Sequence, residues 1–192
     1  MTSLPLVIRP ERPGDADSIE RLHARAFGPG RFARTAYRLR EGTLPLGDLC
    51  FTALVGTYLV GSVRVAPAEA GGPLLVLGPL TVDPSFGQRG IGGSLMRASL
   101  DAARVGGHGL VILVGDAPYY RRFGFAPVPP GGLLPPGPVD PARFLWLELR
   151  PGASETVSGI VRPVRPPTTL GGETHATPSP LCGRRWPAKR VG

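Results

Sequence analysis

Residues 81–100 read TVDPSFGQRGIGGSLMRASL and change character twice along their length. They open with β-branched residues, pass through a loop holding Gly87, Gly90, Gly92 and Gly93, and close on a helix-forming run. Glycine costs backbone entropy at a helix start, and a plain turn needs one or two. A cluster of four points to backbone that another molecule approaches closely. The first turn of a helix has unpaired N–H groups and a partial positive charge, so the matching guest is a phosphate.

Upstream, LLVLGPLTV (74–82) reads as a strand with Gly78 and Pro79 in its middle. Proline cannot donate to a ladder and glycine weakens one, which predicts a bulge or a break in pairing. Alone, the pair reads as an edge kink. A strand freed on one side, however, offers N–H and C=O groups to an extended ligand that carries amides. A pyrophosphate at one end and a peptide-like arm at the other would satisfy loop and strand together, and coenzyme A has that build. Downstream, the spacing predicts a helix over 91–105. Ile91, Leu95, Ala98 and Ala102 form its apolar stripe, widened by Met96, Leu100 and Ala103, and Gly106 and Gly107 end it.

The flanking sequence alternates between the two periodicities. Residues 6–10 (LVIRP) predict an opening strand, and Asp17 and Glu20 suit a capping box ahead of Ile19, Leu22 and Ala26. An Arg-rich helix is expected over 31–41. Residues 50–55 and 58–67 predict strands joined through Gly56 and Thr57, a hairpin signal. Residues 110–115 (LVILVG) predict a further strand, and RFLWLELR (143–150) a last one after a Pro/Gly loop. A hairpin followed by strand–helix–strand implies an α/β protein with a mixed sheet and helices packed on it.

Bulk properties narrow the class. A chain of 192 residues fits one domain, expected over 1–150 and extending to about 165, with a tail over 166–192. No apolar run reaches membrane-spanning length, and the opening apolar stretch is too short for a signal peptide. Cys50 and Cys182 give no disulfide framework, and His23, His108 and His175 show no zinc-ligand spacing. A cytoplasmic, metal-free protein without membrane insertion is therefore expected. Of the net charge of +8, residues 1–150 carry 16 Lys+Arg against 12 Asp+Glu, and the rest 6 against 2. The basic excess is thus concentrated in a Pro/Arg-rich tail that cannot bury much apolar surface and is expected to be disordered. Its basic residues are all Arg except Lys189, as in a compositionally biased genome, so nucleic-acid contact by the tail is not expected.

From 77 to 125 the chain resembles the acyl-CoA-binding core of the GNAT superfamily of N-acetyltransferases, and GDAPYYRRFGF (115–125) resembles one of its uncharacterised bacterial branches. The resemblance extends in element order over roughly 5–150. It implies a mostly antiparallel central sheet flanked by helices, with a splayed fourth and fifth strand. The superfamily pattern Q/R-x-x-G-x-G/A places its glycines on Gly90 and Gly92, but its first position falls on Gly87, with Gln88 one place later. A Rossmann reading fits less well, because the G-x-G-x-x-G spacing is not cleanly met.

The resemblance implies acetyl transfer from acetyl-CoA to an amine by direct attack, the acceptor being a small molecule or a protein. A homodimer is compatible with it. The pyrophosphate would lie on the backbone of Gln88, Arg89, Gly90, Ile91, Gly92, Gly93 and Ser94, and the pantetheine arm along Leu80, Thr81 and Val82. Tyr120, three residues before the Gly124-Phe125 pair, would protonate the departing thiolate, with Tyr119 as the fallback. A phenol with a pKa near ~10 can donate to a thiolate whose conjugate acid lies near ~8.5. Asp116 would orient the arm or the substrate. The general base is not apparent: residues 74–82 hold no acid, leaving a water chain, Glu41 or Asp48. Cys50 and His23 read as structural. The alternative is a non-catalytic acyl-CoA-binding or regulatory module tethered by the basic tail.

Overall fold

The computed structural model describes residues 5–30, 35–87 and 89–167. Its first half contains β1 (Leu6–Pro10), α1 (Ala16–Phe27), α2 (Thr35–Arg38), β2 (Phe51–Val55), β3 (Tyr58–Glu69), β4 (Pro73–Val82) and α3 (Ile91–Val105). There follow β5 (Leu110–Val114), α4 (Ala117–Tyr120), β6 (Ala126–Pro127), β7 (Leu133–Leu134), β8 (Phe144–Glu148), β9 (Gly159–Ile160) and β10 (Arg162–Pro163). One sheet has the order β1-β2-β3-β4-β5-β8-β6, with β10 against β3, and a small second sheet joins β7 to β9. Within the large sheet β4–β5 is parallel and every other pair antiparallel. The parallel pair follows from the β4–α3–β5 crossover, because parallel neighbours need a long connection. Gly56, at φ +60°, begins the tight β2–β3 turn that sets Val55 opposite Tyr58.

Both faces of the sheet are covered. On one, Ile91, Leu95, Met96, Leu100 and Ala103 of α3 pack on Val63, Val65, Leu75 and Leu77. On the other, Leu39 packs with Ala68, Leu74, Val76, Ile112, Phe144 and Val161. This alternation is what a sheet buried on both sides requires, and it makes the strands read as near-continuous apolar runs.

Several local expectations are corrected. The Asp17–Glu20 capping box does not form, because α1 starts at Ala16 with Asp15 in the cap position. The Asp15 carboxylate instead accepts the Arg12 N–H at 2.8 Å and both terminal guanidinium nitrogens of Arg9 at 2.7 and 2.8 Å. The helix expected over 31–41 is one turn, Thr35–Arg38, with 31–34 outside the described residues. Beyond it, Arg40 and Glu41 donate three residues back, to the Tyr37 and Arg38 carbonyls, and these tighter turns carry Leu39 into the core. On α3 the buried face is rotated from the expected stripe and includes Ser99, whose hydroxyl donates to the Leu49 carbonyl at 2.8 Å.

Candidate functional site

The cleft arises from a register fault in β4. Val65 pairs with Leu77 but Val63 pairs with Leu80, so Gly78 and Pro79 together oppose Arg64. This is a β-bulge, and it reverses which side chains face α3. Leu75 and Leu77 do so before it, Leu80 and Val82 after it. On its other edge β4 pairs with β5 only at Leu75 and Val76. Beyond Val76 that edge has no strand partner, while β5 continues along β8 to Val114. The strands splay, and the opening is a cleft of ≈ 1190 Å³. Among the residues lining it are Leu80, Val82, Gly92, Asp116, Tyr119 and Tyr120.

The glycine loop closes one end. Gly90 precedes α3 with φ +73°, a conformation that L side chains adopt at a cost. The Ser94 amide is committed to the Gly90 carbonyl at 3.0 Å, so the open amides of the first turn are those of Ile91, Gly92 and Gly93. A Cβ on Gly92 would stand 2.7 Å from the Tyr119 hydroxyl, whereas one on Gly93 would meet only the Arg97 guanidinium at ordinary contact distance. Gly87 is at φ −55° and donates to the Pro84 carbonyl, so it serves the preceding turn. Arg89 lies over the Phe86 ring at 5.3 Å, and Gln88 lies outside the described residues.

Thr81 differs from its neighbours. Its side chain is buried, has no hydrogen-bond partner and is not part of the cleft lining. It sits opposite Ser62, which sits opposite Thr52, whose hydroxyl is likewise unpartnered.

The two tyrosines of α4 diverge. Tyr119 reaches the start of α3, with Arg122 stacked 4.0 Å from its ring centroid. Tyr120 turns inward over Gly115, where any Cβ would overlap its ring, and meets Phe125 edge-on at 5.9 Å. Burial pushes the Tyr120 hydroxyl up to about 12, reinforced by Tyr119 and opposed by Arg143. Asp116 stands exposed at the cap position of α4, with its carbonyl accepting the Tyr119 and Tyr120 amides.

Across the cleft stand residues that sequence reasoning did not select. His23 of α1 is buried with Nε2 3.1 Å from the Ser62 hydroxyl and Nδ1 4.0 Å from Glu20. Arg40 and Arg64 share this wall, and Arg143 lies near Asp140 at the other rim. Their spacing gives no warning, since they come from separate stretches of the chain. Glu41 and Asp48 are exposed and outside the cleft lining. Cys50 is buried with Sγ accepting the Val65 N–H at 3.3 Å, and burial raises its thiol to about 11, so it is no nucleophile at neutral pH. Among the described residues no cluster of His, Cys, Asp and Glu could hold a metal, and no helix is long and apolar enough to cross a membrane.

Residues 47–127 match the profile of the family described as acetyltransferase (GNAT) domain. The uncharacterized N-acetyltransferase YhbS of Escherichia coli K12 is 31% identical over 164 residues, covering 81% of this chain and 95% of YhbS. YjhQ of the same strain, also described as an uncharacterized N-acetyltransferase, is 33% identical over 118 residues, or 59% of this chain and 65% of YjhQ. The crystal structure of Escherichia coli YhbS in complex with CoA superposes with a TM-score of 0.72 at 28% identity, over 85% of this chain and 92% of that one. A GNAT family acetyltransferase from Brucella melitensis, in complex with acetyl-CoA, gives a TM-score of 0.55 at 29% identity, over 74% and 95%.

Proposed function

Because the chain belongs to the GNAT family of acetyltransferases, we propose that it moves an acetyl group from acetyl-CoA to a primary amine within the β4–β5 cleft. The observation that carries this reading is the convergence of three features on one cleft: the unpaired β4 edge, the open amides of α3 and the Tyr120 hydroxyl. The residues present fit coenzyme A. The amides of Ile91, Gly92 and Gly93 suit a pyrophosphate, and the absence of a side chain on Gly92 keeps the approach open. The backbone of Leu80, Thr81 and Val82 suits the amides of a pantetheine arm. Relatives crystallised with CoA and acetyl-CoA support the same assignment.

In this reading the amine nitrogen attacks the thioester carbonyl, a C–N bond forms and the C–S bond breaks. A backbone N–H near Leu80 steadies the developing oxyanion. Tyr120 gives its proton to the sulfur as it leaves. With its pKa near 12 it stays protonated at neutral pH, so it donates only in concert with C–S cleavage. The amine's own proton goes to a group on α1, where Glu20 and His23 face the cleft.

A second reading, a coenzyme-binding module without turnover, is favoured by the lack of any carboxylate on β4. Calorimetric titration with CoA, followed by thiol release from acetyl-CoA across a panel of amines, separates the two. Binding with amine-dependent thiol release supports the transferase. Binding without release supports the module, and no binding removes both.

A further inference from the structure

The α1–α2 side of the cleft holds a cation without a matching carboxylate among the described residues. Arg40, just past α2, lines the cleft, and its Nε donates to the Ala36 carbonyl at 3.0 Å. No described Asp or Glu forms an ion pair with it. Burial lowers its pKa to about 10, with Tyr37 opposing and Arg64 adding to the shift. Arg64 is already engaged by Glu11, which takes two of its nitrogens at 2.9 and 2.6 Å. The charge of Glu20 also acts on Arg64, so of the two neighbouring guanidiniums only Arg40 lacks a carboxylate partner among the described residues. A guanidinium withdrawn from water and left uncompensated is unfavourable, and an anion entering the cleft would relieve it.

The location specifies the anion's place in the reaction. Arg64 opposes the bulge, and Ser62, two residues back along β3, opposes Thr81. Two strand residues span about 7 Å. Arg64 thus leaves β3 about 7 Å along the strand from the position opposite Thr81, on the stretch of β4 where the acyl group would rest. At that nearer position His23 contacts Ser62, with Glu20 beside it. One end of the wall suits an ammonium and the other an anion. We propose that the acceptor is a small amine that also carries an anionic group, carboxylate or phosphate, a few bonds from its nitrogen, and that Arg40 with Arg64 beside it binds that group. This rests on the acetyltransferase reading of the same cleft.

The test uses the full chain, acetyl-CoA and matched acceptors: L-amino acids against their carboxamides, and phosphoethanolamine against ethanolamine. Hydrogen bonds to charged groups predict a preference of roughly tenfold to a hundredfold in kcat/KM for the anionic member of at least one pair. The pair that responds distinguishes carboxylate from phosphate. Arg40→Gln should abolish that preference by raising KM for the anionic acceptor, and Arg40→Lys should restore part of it. Equal or better use of the neutral members by the native chain overturns the proposal. So does an Arg40→Gln loss that is the same for both members of a pair, which is the mark of a structural role. If Arg40→Gln does not fold, the native preference and Arg40→Lys decide. Titration with CoA reports separately on the transferase reading. Should CoA not bind, titration with N-acetyl amino acids and their amides, and with N-acetylphosphoethanolamine and N-acetylethanolamine, still reads the anion site, and equal affinity within both pairs overturns it.

Discussion

Tyr119 and Tyr120 are adjacent in the chain and both line the cleft, yet their side chains enter different surroundings. Tyr119 has its hydroxyl against Gly92, at the start of α3, and its ring under Arg122. Tyr120 is turned over Gly115 into the cleft. Tyr120→Phe keeps the edge contact with Phe125 and removes the proton, so kcat should fall by about 10²–10⁴ with coenzyme affinity nearly constant. Tyr119→Phe should cost much less, and the reverse ranking in steady-state assays would identify Tyr119 as the donor. Since burial places the Tyr120 pKa near 12, loss of this donor should give no alkaline limb in kcat below about pH 10. The same shift bears on stability. The folded pKa lies above the unfolded value of about 10, so the contribution is whole below pH 10 and is lost as pH rises from 10 through 12. Over that window the melting temperature of the native chain should fall relative to that of Tyr120→Phe.

At the scale of elements, α3 combines two requirements that conflict: an open first turn and a tightly packed body. Gly90→Val forces a β-branched residue to φ +73° and should destabilise the fold by roughly 1–3 kcal/mol. Gly92→Val pushes against the Tyr119 hydroxyl and fills the space before the open amides. Its coenzyme affinity should drop at least tenfold by calorimetry while a melting transition persists; unchanged affinity would move the pyrophosphate elsewhere. Deeper in the helix, Ser99 is buried among apolar neighbours because the Leu49 carbonyl needs its hydroxyl. Ser99→Ala should cost about 1–3 kcal/mol in denaturant unfolding, since the carbonyl is left without that donor.

For the molecule as a whole, the segment after β8 closes the sheet's far end. β10 pairs with Glu69 and Ala68 of β3, and Val161 between β9 and β10 is fully buried. A chain ended at residue 167 should therefore keep coenzyme affinity and a cooperative melt. One ended at residue 158 loses Val161 and both short strands, and its melting temperature should fall clearly. Equal melts for the two would show that this segment adds nothing to the fold.

The sequence by itself determines the main strands β1–β5 and β8, a helix crossing between β4 and β5, and an irregularity at Gly78–Pro79; the short strands β6, β7, β9 and β10 are not legible in it. Each legible feature is encoded locally: by apolar runs of strand length, by a helix long enough for a crossover, and by two residues that disfavour a ladder. The glycine loop is legible for the same reason, because open backbone at a helix start has few other uses. The ends of α1 and α2 are not legible locally. Asp15, not Asp17, stands in the cap position of α1, with its carboxylate held by Arg9 of β1, and α2 stops early as Leu39 turns into a core built by later strands. The wall proposed for the acceptor is decided by tertiary structure alone. Glu11, Glu20, His23, Arg40 and Arg64 come from four separate stretches, and their meeting depends on the β3–β4 register and on how α1 lies over the sheet. Side-chain charge is written in the sequence, but whether that charge is paired is a property of distance, and distance between remote residues exists only in the folded chain.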